Sequence, residues 1–264
     1  MDFNTKYGPW AVVTGASSGI GRAIAQELAA KGLHLVLVAR RQERLQALVS
    51  DLEAQHAIEC RPVAADLGAE AGRRAVEDAT RDLDAGLLVA AAGFGTTGQF
   101  LDADLDAEYD MLTVNAWAVL EQAHHFGRRF ADRGRGGLIL FGSIVGFQGT
   151  PYAAHYAATK AYVQTLAEAL HLELGPLGVD VVSSAPGPVH SGFAERADQK
   201  MGAAIQPEDV AKPTLAALGR RMTTHPGLLT KVLSGSLALL PRWARARIMK
   251  QVMGGMTAHQ REHA

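Results

Sequence analysis

The 264-residue chain lacks the features that mark secreted, membrane-spanning or nucleic-acid-binding proteins. Its single cysteine, Cys60, cannot form an internal disulfide. The amino-terminal sequence MDFNTKYGPW has neither the basic start nor the apolar stretch of a secretory signal. The net charge of −1 gives no reason to expect a nucleic-acid partner. These absences predict a cytoplasmic location.

Long hydrophobic runs are also missing. The longest apolar stretch near the end, LLTKVLSGSLALLP, is interrupted by Lys231. It falls well short of the roughly 20 residues that a spanning helix needs. The sequence therefore predicts a protein that does not span a membrane.

Short apolar runs alternate with longer amphipathic segments along most of the chain. The candidate strands are WAVVT, LHLVLVA, ECRPVAA, GLLVAAA, GLILFGS and GVDVVSSA. Nearly continuous apolar strands indicate burial on both faces, as in a parallel sheet covered by helices. The pattern predicts an α/β protein: one doubly wound, Rossmann-like domain over residues 1–264, with a parallel sheet of about seven strands flanked by helices.

A glycine-rich loop, TGASSGIGR, follows the first candidate strand and leads into an apolar helix. Its glycines allow a tight turn and a close approach of the backbone to a pyrophosphate, which the helix amino terminus then faces. The alternative is a simple strand-to-helix turn, but the strand-loop-helix context favours a dinucleotide. The predicted cofactor contacts in this loop are Gly15, Ser17, Ser18, Gly19, Ile20, Gly21 and Arg22.

Arginines stand where an NAD-preferring site places a carboxylate. The second strand ends in VARRQERL, about 20 residues past the glycine loop, with Arg40 and Arg41 at that point. A guanidinium can pair with a 2′-phosphate that a carboxylate would repel, so NADP(H) is favoured over NAD(H). The alternative is a pair of solvated arginines at a strand end. Asp66 and Leu67, after the third strand, are placed to meet the adenine.

The stretch YAATK places Tyr156 and Lys160 four positions apart. On a helix, this spacing brings the two side chains together. A lysine beside a phenol lowers the phenol's pKa, which suits a proton donor and acceptor near neutral pH. For the pair alone, the alternative is an exposed Tyr-Lys pair on a helix surface.

These motifs occur in a fixed order. The glycine loop at residues 14 to 21 is followed by Asn115 in a central helix, by Ser143 after the fifth strand, and by Tyr156, 13 residues after that serine. The ordered set resembles the short-chain dehydrogenase/reductase family over about residues 9 to 191. Taken singly, Ser143 could be a strand-end cap and Asn115 a satisfied polar group in a helix.

The resemblance implies a role for each residue of the set. Tyr156 would be the general acid in carbonyl reduction and the base in alcohol oxidation. Lys160 would lower the pKa of Tyr156 and hydrogen-bond the nicotinamide ribose. Ser143 would hold the substrate oxygen as negative charge develops on it, and Asn115 would hold a water in a proton relay.

The resemblance extends to the loop APGPVHSGF, which would cradle the nicotinamide through Pro186, Gly187, Val189 and Ser191. Ser191 stands where the family usually has threonine. The family's Asn-Asn-Ala-Gly is here Ala90, Ala91, Ala92 and Gly93; Ala92 and Gly93 remain predicted cofactor contacts, and altered local rigidity is expected. His155 and His190 are either substrate contacts or solvated histidines.

Residues 192–264 are interpreted as a lid over residues 192–206, a substrate pocket and carboxy-terminal helices. The basic, leucine-rich tail is expected to pack on its own domain or on a partner subunit; the alternative is an interfacial helix that docks on anionic lipid. The expected function is hydride transfer between NADP(H) and an apolar carbonyl or secondary alcohol, without a metal, in a homodimer or homotetramer. The alternative is a non-catalytic dinucleotide-binding sensor or scaffold.

Overall fold

The computed structural model of the protein describes residues 2–200 and 202–261. Met1, Met201 and residues 262–264 lie outside the described residues, so the predicted domain and lid are described without them. The strands are β1 (Trp10–Thr14), β2 (His34–Ala39), β3 (Cys60–Ala64), β4 (Ala85–Ala90), β5 (Gly136–Phe141), β6 (Val179–Ser184) and β7 (Thr223–Thr224).

Helices connect the strands and continue beyond them. They are α1 (Phe3–Tyr7), α2 (Gly19–Ala30), α3 (Gln42–Gln55), α4 (Glu70–Thr80), α5 (Leu105–Leu112), α6 (Ala118–Asp132), α7 (Ala154–Leu174), α8 (Gly192–Arg196), α9 (Pro207–Ala217), α10 (Leu228–Ala238) and α11 (Arg242–Met256). A π-helical turn, Thr113–Trp117, joins α5 to α6.

The strands form one seven-stranded sheet in the order β3-β2-β1-β4-β5-β6-β7. Every adjacent pair is parallel, which confirms the predicted doubly wound fold. The order reverses between β1 and β4, and ligands of such sheets bind outside the carboxyl ends of the strands at this switch point. The fold therefore places its crevice beside the glycine loop.

Each face of the sheet is covered by a separate apolar cluster. On β1, Val13 belongs to the cluster that includes residues of α2, whereas Val12 belongs to the cluster that includes residues of α6. Alternate residues of a strand point to opposite faces, so apolar side chains at successive positions fill both layers. The continuous apolar runs in the sequence are explained by this burial on two sides.

The seventh strand has only two residues. It pairs with β6 through Ser183 and Thr223, and through Ser184 and Thr224. No alternation of apolar and polar residues can be recognised over so short a segment, which is why the sequence pattern ended at the sixth strand.

The carboxy-terminal segment is helical, as predicted. Helix α9 begins with Pro207 at its first turn and has Glu208 and Asp209 beside it, which suits a helix amino terminus. Met249 and Met253 of α11 form a small buried cluster with Ala153, and Tyr156 packs against it. Within residues 2–200 and 202–261, no helix combines the length and the apolar character needed to cross a bilayer.

Candidate active site

The turn after β1 needs glycine at three positions. Gly15 and Gly19 have φ values of +68° and +54°, which residues with a Cβ rarely adopt. A Cβ on Gly21 would lie 2.5 Å from the carbonyl oxygen of Gly15. The loop thus folds back on itself and aims the amino terminus of α2 at the crevice, where an anion would be stabilised.

A cavity of about 480 Å³ lies against this turn. We call it the glycine-loop cavity. Most of the cofactor contacts predicted from sequence line it: Gly15, Ser17, Ser18, Gly19, Ile20, Gly21, Arg40, Asp66, Leu67, Ala92, Gly93 and Ser191. The structure therefore brings together residues from four strand ends and from the loop after β6.

One end of the glycine-loop cavity is strongly cationic. Arg40, Arg41, Arg44 and Arg196 all line the cavity, and these four outnumber its two carboxylates, Asp66 and Glu195. The Nη2 atom of Arg41 lies 3.4 Å from the hydroxyl oxygens of both Ser17 and Ser18. Partial desolvation lowers the pKa of Arg41, and the neighbouring charges of Arg44 and Arg40 lower it further. Crowded guanidinium groups of this kind favour a bound anion.

Arg22 does not reach this cationic end. Its Nη2 atom lies 3.8 Å from a carboxylate oxygen of Asp51 on α3, and the residue does not line the cavity. The α2 helix turns the side chain toward α3, so the predicted cofactor contact Arg22 lies outside the cavity, whereas Arg41, Arg44 and Arg196 line it.

Thr14 joins β1 to β4 at the segment where two asparagines were expected. Its hydroxyl accepts a 3.2 Å hydrogen bond from the Ala92 N–H and donates, at 3.4 Å, to the Val89 carbonyl. Ala90 is buried in β4. The Thr14 hydroxyl therefore adds a connection to the β4 end beyond the backbone ladder, and Ala90 remains paired with Thr14 in that ladder.

A second cavity, of about 430 Å³, contains Ser143, Tyr156 and Lys160. We call it the tyrosine cavity. Ser143 follows β5 and caps a short 3₁₀ turn, Ile144–Phe147, whereas Tyr156 and Lys160 lie on α7 at the predicted spacing. The two cavities share Ile20, Ala91, Gly93, Ser191 and Phe193. A molecule in the glycine-loop cavity can therefore extend to the tyrosine.

Burial controls the proton affinity of the central pair. Desolvation raises the pKa of Tyr156, while its hydrogen bond with Ser143 acts in the opposite direction. Desolvation also lowers the pKa of Lys160 to about 8, and its ammonium donates a 2.9 Å hydrogen bond to the Phe141 carbonyl. The net effect on the phenol is an upward shift of its pKa, because burial outweighs the hydrogen bond with Ser143. The lowering of the Tyr156 pKa by Lys160 stays a prediction.

Asn115 lies in the π-helical turn and is fully buried. Its amide oxygen accepts a hydrogen bond from the Phe94 N–H at 3.0 Å, and its amide nitrogen donates to the Phe94 carbonyl at 2.7 Å and to the Thr159 hydroxyl at 3.2 Å. The side chain lines neither cavity. It fixes the loop after β4 against α7, whereas its water-holding role stays a prediction.

The loop after β6 closes the junction of the two cavities. Pro186, Gly187, Val189 and Ser191 line the tyrosine cavity, as expected for a segment that holds the nicotinamide end. The Ser191 hydroxyl accepts a hydrogen bond from the Phe193 N–H at 3.4 Å and so caps α8. The Phe193 ring lies 5.1 Å from the Tyr156 ring, centroid to centroid.

The two histidines beside the site face elsewhere. The Nδ1 atom of His155 lies 2.5 Å from a carboxylate oxygen of Glu108, in a separate cavity. His190 is exposed. Neither lines the tyrosine cavity, so neither is placed to touch a molecule bound beside Tyr156.

Sequence reasoning missed two groups of lining residues. Arg44 and Arg196 are surface arginines by pattern, and only the fold brings α3 and α8 to the same cavity. The other group is apolar and belongs to the carboxy-terminal helices. It comprises Leu233, Leu237, Leu240, Ile248, Met249, Val252, Met253 and Met256. Their leucine-rich pattern predicted a helix but did not show which side of that helix faces the cavity.

Comparison with known proteins agrees with the family resemblance seen in the sequence. The family model described as short chain dehydrogenase matches residues 9–202. A 7beta-hydroxysteroid dehydrogenase of Clostridium sardiniense is 35% identical over 236 residues, which cover 88% of this chain and 90% of the relative.

Two solved structures are also similar. The short-chain dehydrogenase from Sphingobium yanoikuyae in complex with NADPH superposes with a TM-score of 0.80 at 30% identity, covering 89% of this chain and 97% of the other. A 7beta-hydroxysteroid dehydrogenase structure gives a TM-score of 0.87 at 28% identity, covering 94% and 99%.

The residues present fit a nicotinamide dinucleotide. The glycine turn leaves room where a Cβ at Gly15 or Gly21 would collide with backbone, and the cavity beside it continues to the tyrosine. Among residues 2–200 and 202–261, no group of three or more histidine, cysteine or acidic side chains is arranged to hold a metal ion. With this site, the parallel sheet and the matched family model, the chain belongs to the short-chain dehydrogenase family of oxidoreductases.

Proposed function

We propose that this protein is an NADP(H)-dependent oxidoreductase that interconverts bulky, apolar ketones and secondary alcohols. The observation that carries the proposal is that Ser143, Tyr156 and Lys160 share one largely apolar cavity, which opens into the cationic glycine-loop cavity. When bound across the two, the nicotinamide supplies or accepts a hydride at the substrate carbon.

Tyr156 is the proton donor and acceptor of this proposal. Burial raises its pKa, so the phenol keeps its proton at neutral pH and can donate it to a carbonyl oxygen that gains negative charge. Ser143 lines the same cavity and stabilises that developing charge through its hydroxyl. The reverse reaction requires the tyrosinate as base.

Lys160 supports the tyrosine by its position. Its ammonium lies 5.9 Å from the centroid of the Tyr156 ring and donates to the carbonyl at the end of β5. This places a cation beside the phenol and near the junction of the cavities. Lys160 accordingly binds the ribose next to the nicotinamide and stabilises the tyrosinate once it forms.

The arginines support a preference for NADP(H). Arg40 and Arg41 follow β2, where a ribose hydroxyl is expected, and Arg44 and Arg196 add positive charge to the same cavity. Bidentate guanidinium groups match a 2′-phosphate in shape and charge. Asp66 also lines this cavity and is assigned to the adenine, together with Leu67.

The lining of the tyrosine cavity supports a large, apolar substrate. Apart from Ser143, Tyr156 and Lys160, its walls are mostly apolar, and one side is formed by leucine, valine and methionine side chains of α10 and α11. A volume of about 430 Å³ falls in the range of roughly 300–1,000 Å³ typical of ligand sites. The relative from Clostridium sardiniense is named for a hydroxysteroid, a rigid alcohol of this class.

Initial rates of NADPH oxidation with ketones of increasing apolar size test this function. The panel is acetone, cyclohexanone, a decalone and a steroid ketone, with NADH as the comparison cofactor. We expect kcat/KM to rise with apolar size and to be higher with NADPH. Tight NADPH binding without turnover of any member would instead favour the sensor or scaffold hypothesis.

An oligomer is also part of the proposal. Large apolar side chains on α5, the π-helical turn and α7 are exposed: Leu105, Tyr109, Leu112, Trp117, Tyr162 and Leu172. Exposed apolar surface of this extent on a folded chain favours a partner. A homodimer or homotetramer that covers these residues is therefore expected, and its cytoplasmic location stays a prediction from the sequence.

A further inference from the structure

The outer face of the carboxy-terminal helices is both apolar and cationic. We call this face the C-terminal surface and define it by the exposed residues of α10, of α11 and of the short turn between them. Its apolar members are Leu228, Leu229, Val232, Leu233, Leu239, Trp243, Ile248 and Val252. Its cationic members are Lys231, Arg242, Arg247 and Lys250.

Helix α10 buries almost none of its own side chains. Of its eleven residues only Thr230 is buried, and its hydroxyl accepts a 3.2 Å hydrogen bond from the Gly187 N–H. Leu228 and Leu239, near its two ends, are 78% and 88% exposed. Burial of leucine is the main stabilising contribution of such a helix, so a leucine-rich helix with this exposure calls for an apolar environment.

The charge on this surface has one sign. Residues 210–261 contain nine lysines and arginines and no aspartate or glutamate, although the whole chain has 26 basic and 27 acidic residues. Among the residues that the structure describes, none of the four cationic members has a carboxylate partner. Two copies placed face to face would repel each other, whereas an anionic surface would attract both.

Trp243 and the arginines around it have the chemistry of a bilayer interface. The Arg247 guanidinium lies 5.0 Å from the centroid of the Trp243 ring, and both side chains are exposed. Tryptophan and arginine each combine an apolar body with a polar end, which suits the headgroup region. Helices with leucine and tryptophan beside lysine and arginine lie in the plane of that region.

The C-terminal surface is continuous with the tyrosine cavity. Leu233, Ile248 and Val252 are exposed on the outside and also line the cavity. An apolar molecule dissolved in lipid could pass along these side chains to Tyr156 without entering water. The site entrance and the apolar surface are therefore the same part of the molecule.

We propose that α10 and α11 dock the protein on the surface of an anionic lipid bilayer, with the entrance of the tyrosine cavity facing the lipid. The side chains that enter the interface are those of Leu228, Val232, Leu239 and Trp243. The anionic headgroups are contacted by Lys231, Arg242, Arg247 and Lys250. The docking is peripheral, and it does not depend on the proposed reaction, because binding to lipid needs no turnover.

Co-sedimentation with vesicles tests the docking. The vesicles contain either phosphatidylcholine alone or phosphatidylcholine with 30% phosphatidylglycerol, and the full-length protein is used at low and at high salt. We expect binding to the anionic vesicles at low salt, at least tenfold weaker binding to the neutral ones, and weakening by salt. No binding to either, or equal binding to both, would overturn the proposal.

Two variants locate the contact. The triple variant L228S/V232S/L239S removes exposed side chains that do not line the cavity, and the triple variant R242Q/R247Q/K250Q removes three charges. Each cation near an anionic surface contributes roughly fivefold in affinity, so R242Q/R247Q/K250Q should bind anionic vesicles about a hundredfold more weakly than wild type. The matched controls are L101S/L177S and R74Q/R81Q, which change exposed leucines and arginines elsewhere.

Loss of vesicle binding in the surface variants and its retention in the controls would support the docking. Equal loss in the controls would overturn it. A change in sedimentation coefficient of L228S/V232S/L239S without lipid would also overturn it, because a second copy of the chain would then cover the surface. Turnover assays are not needed for any of these outcomes, so a failure of the proposed reaction would be seen separately.

Discussion

Tyr156 and Lys160 illustrate how burial changes the meaning of a sequence motif. Their spacing on α7 follows from the sequence, and so does their proximity. Their proton affinities cannot be read from the sequence, because these depend on desolvation by residues far away in the chain. The structure keeps the phenol protonated and makes the ammonium easier to deprotonate. This arrangement suits proton donation to a carbonyl near neutral pH.

The lowered pKa of Lys160 predicts a pH-dependent stability. The unfolded chain holds this proton up to about pH 10.5, whereas the folded chain loses it near pH 8. Between these values the unfolded state binds more protons, so this residue's contribution to the free energy of unfolding rises with pH. Below pH 8 the burial of the charge costs about 3 kcal/mol.

Urea unfolding of the wild type and of K160M at pH 7, 8.5 and 10 checks this. The free energy of unfolding of K160M relative to wild type should be highest at pH 7 and should fall by up to about 3 kcal/mol toward pH 10. The lost hydrogen bond to Phe141 shifts the difference at every pH alike. A difference that does not change with pH would contradict the buried, desolvated ammonium.

The arginines predict cofactor selectivity at single positions. R41A and R40A should each weaken NADPH binding by about tenfold or more, since a hydrogen bond to a charged group contributes about 1.5–3 kcal/mol, and should leave NADH binding nearly unchanged. R22A is the control, because Arg22 faces Asp51 outside the cavity. Calorimetric titration of each variant with both cofactors measures the ratio. A larger loss in R22A than in R41A would refute the assignment.

At the scale of elements, the turn between β1 and α2 is the most constrained part of the site. G21A should lose at least tenfold in dinucleotide affinity and about 1–3 kcal/mol in stability, because its Cβ would meet the backbone of Gly15 at 2.5 Å. G175A is the matched control, since nothing lies within 4 Å of the added carbon. Thermal unfolding and NADPH titration of both variants check this. Unchanged affinity in G21A would show that the turn does not hold the dinucleotide.

Some elements could be predicted from the sequence and others could not. Five of the first six strands are largely buried on both faces, so their apolar pattern was recognisable without knowledge of the fold. The exception is the edge strand β3, in which only Val63 is buried. Thr223 and Thr224 form a strand only because β6 offers a free edge. The side of α10 that meets the site could not be read either, since Leu233 and Leu239 are the same residue type in one run and only the first lines the cavity.

The same limit applies to the site. Gly15, Ser143 and Tyr156 were predictable because local spacing and neighbouring strands determine where they lie. Arg196 and Phe193 come from the short helix α8, whose direction depends on the loop after β6 and on contacts with Phe94 and Tyr156. Local patterns carry no information on such distant contacts, so these residues were missed.

At the scale of the whole molecule, the exposed apolar residues of α5 and the following turn predict self-association. Wild-type protein should sediment as a dimer or tetramer, and W117E should shift it toward the monomer, because a buried carboxylate without a partner is costly. L177E, at an exposed leucine that is not among the residues assigned to the contact, is the control. Analytical ultracentrifugation measures the distribution. An unchanged distribution in W117E would place the subunit contact elsewhere.

The central claim is that Tyr156 protonates a bulky, apolar ketone in a site that binds NADPH. The most direct measurement is the rate of NADPH oxidation with a steroid ketone at pH 7, in wild type and in Y156F, with NADPH affinity measured in parallel. The account predicts turnover in wild type, a loss of at least a hundredfold in kcat in Y156F, and similar NADPH affinity in both. Turnover retained in Y156F would contradict the account.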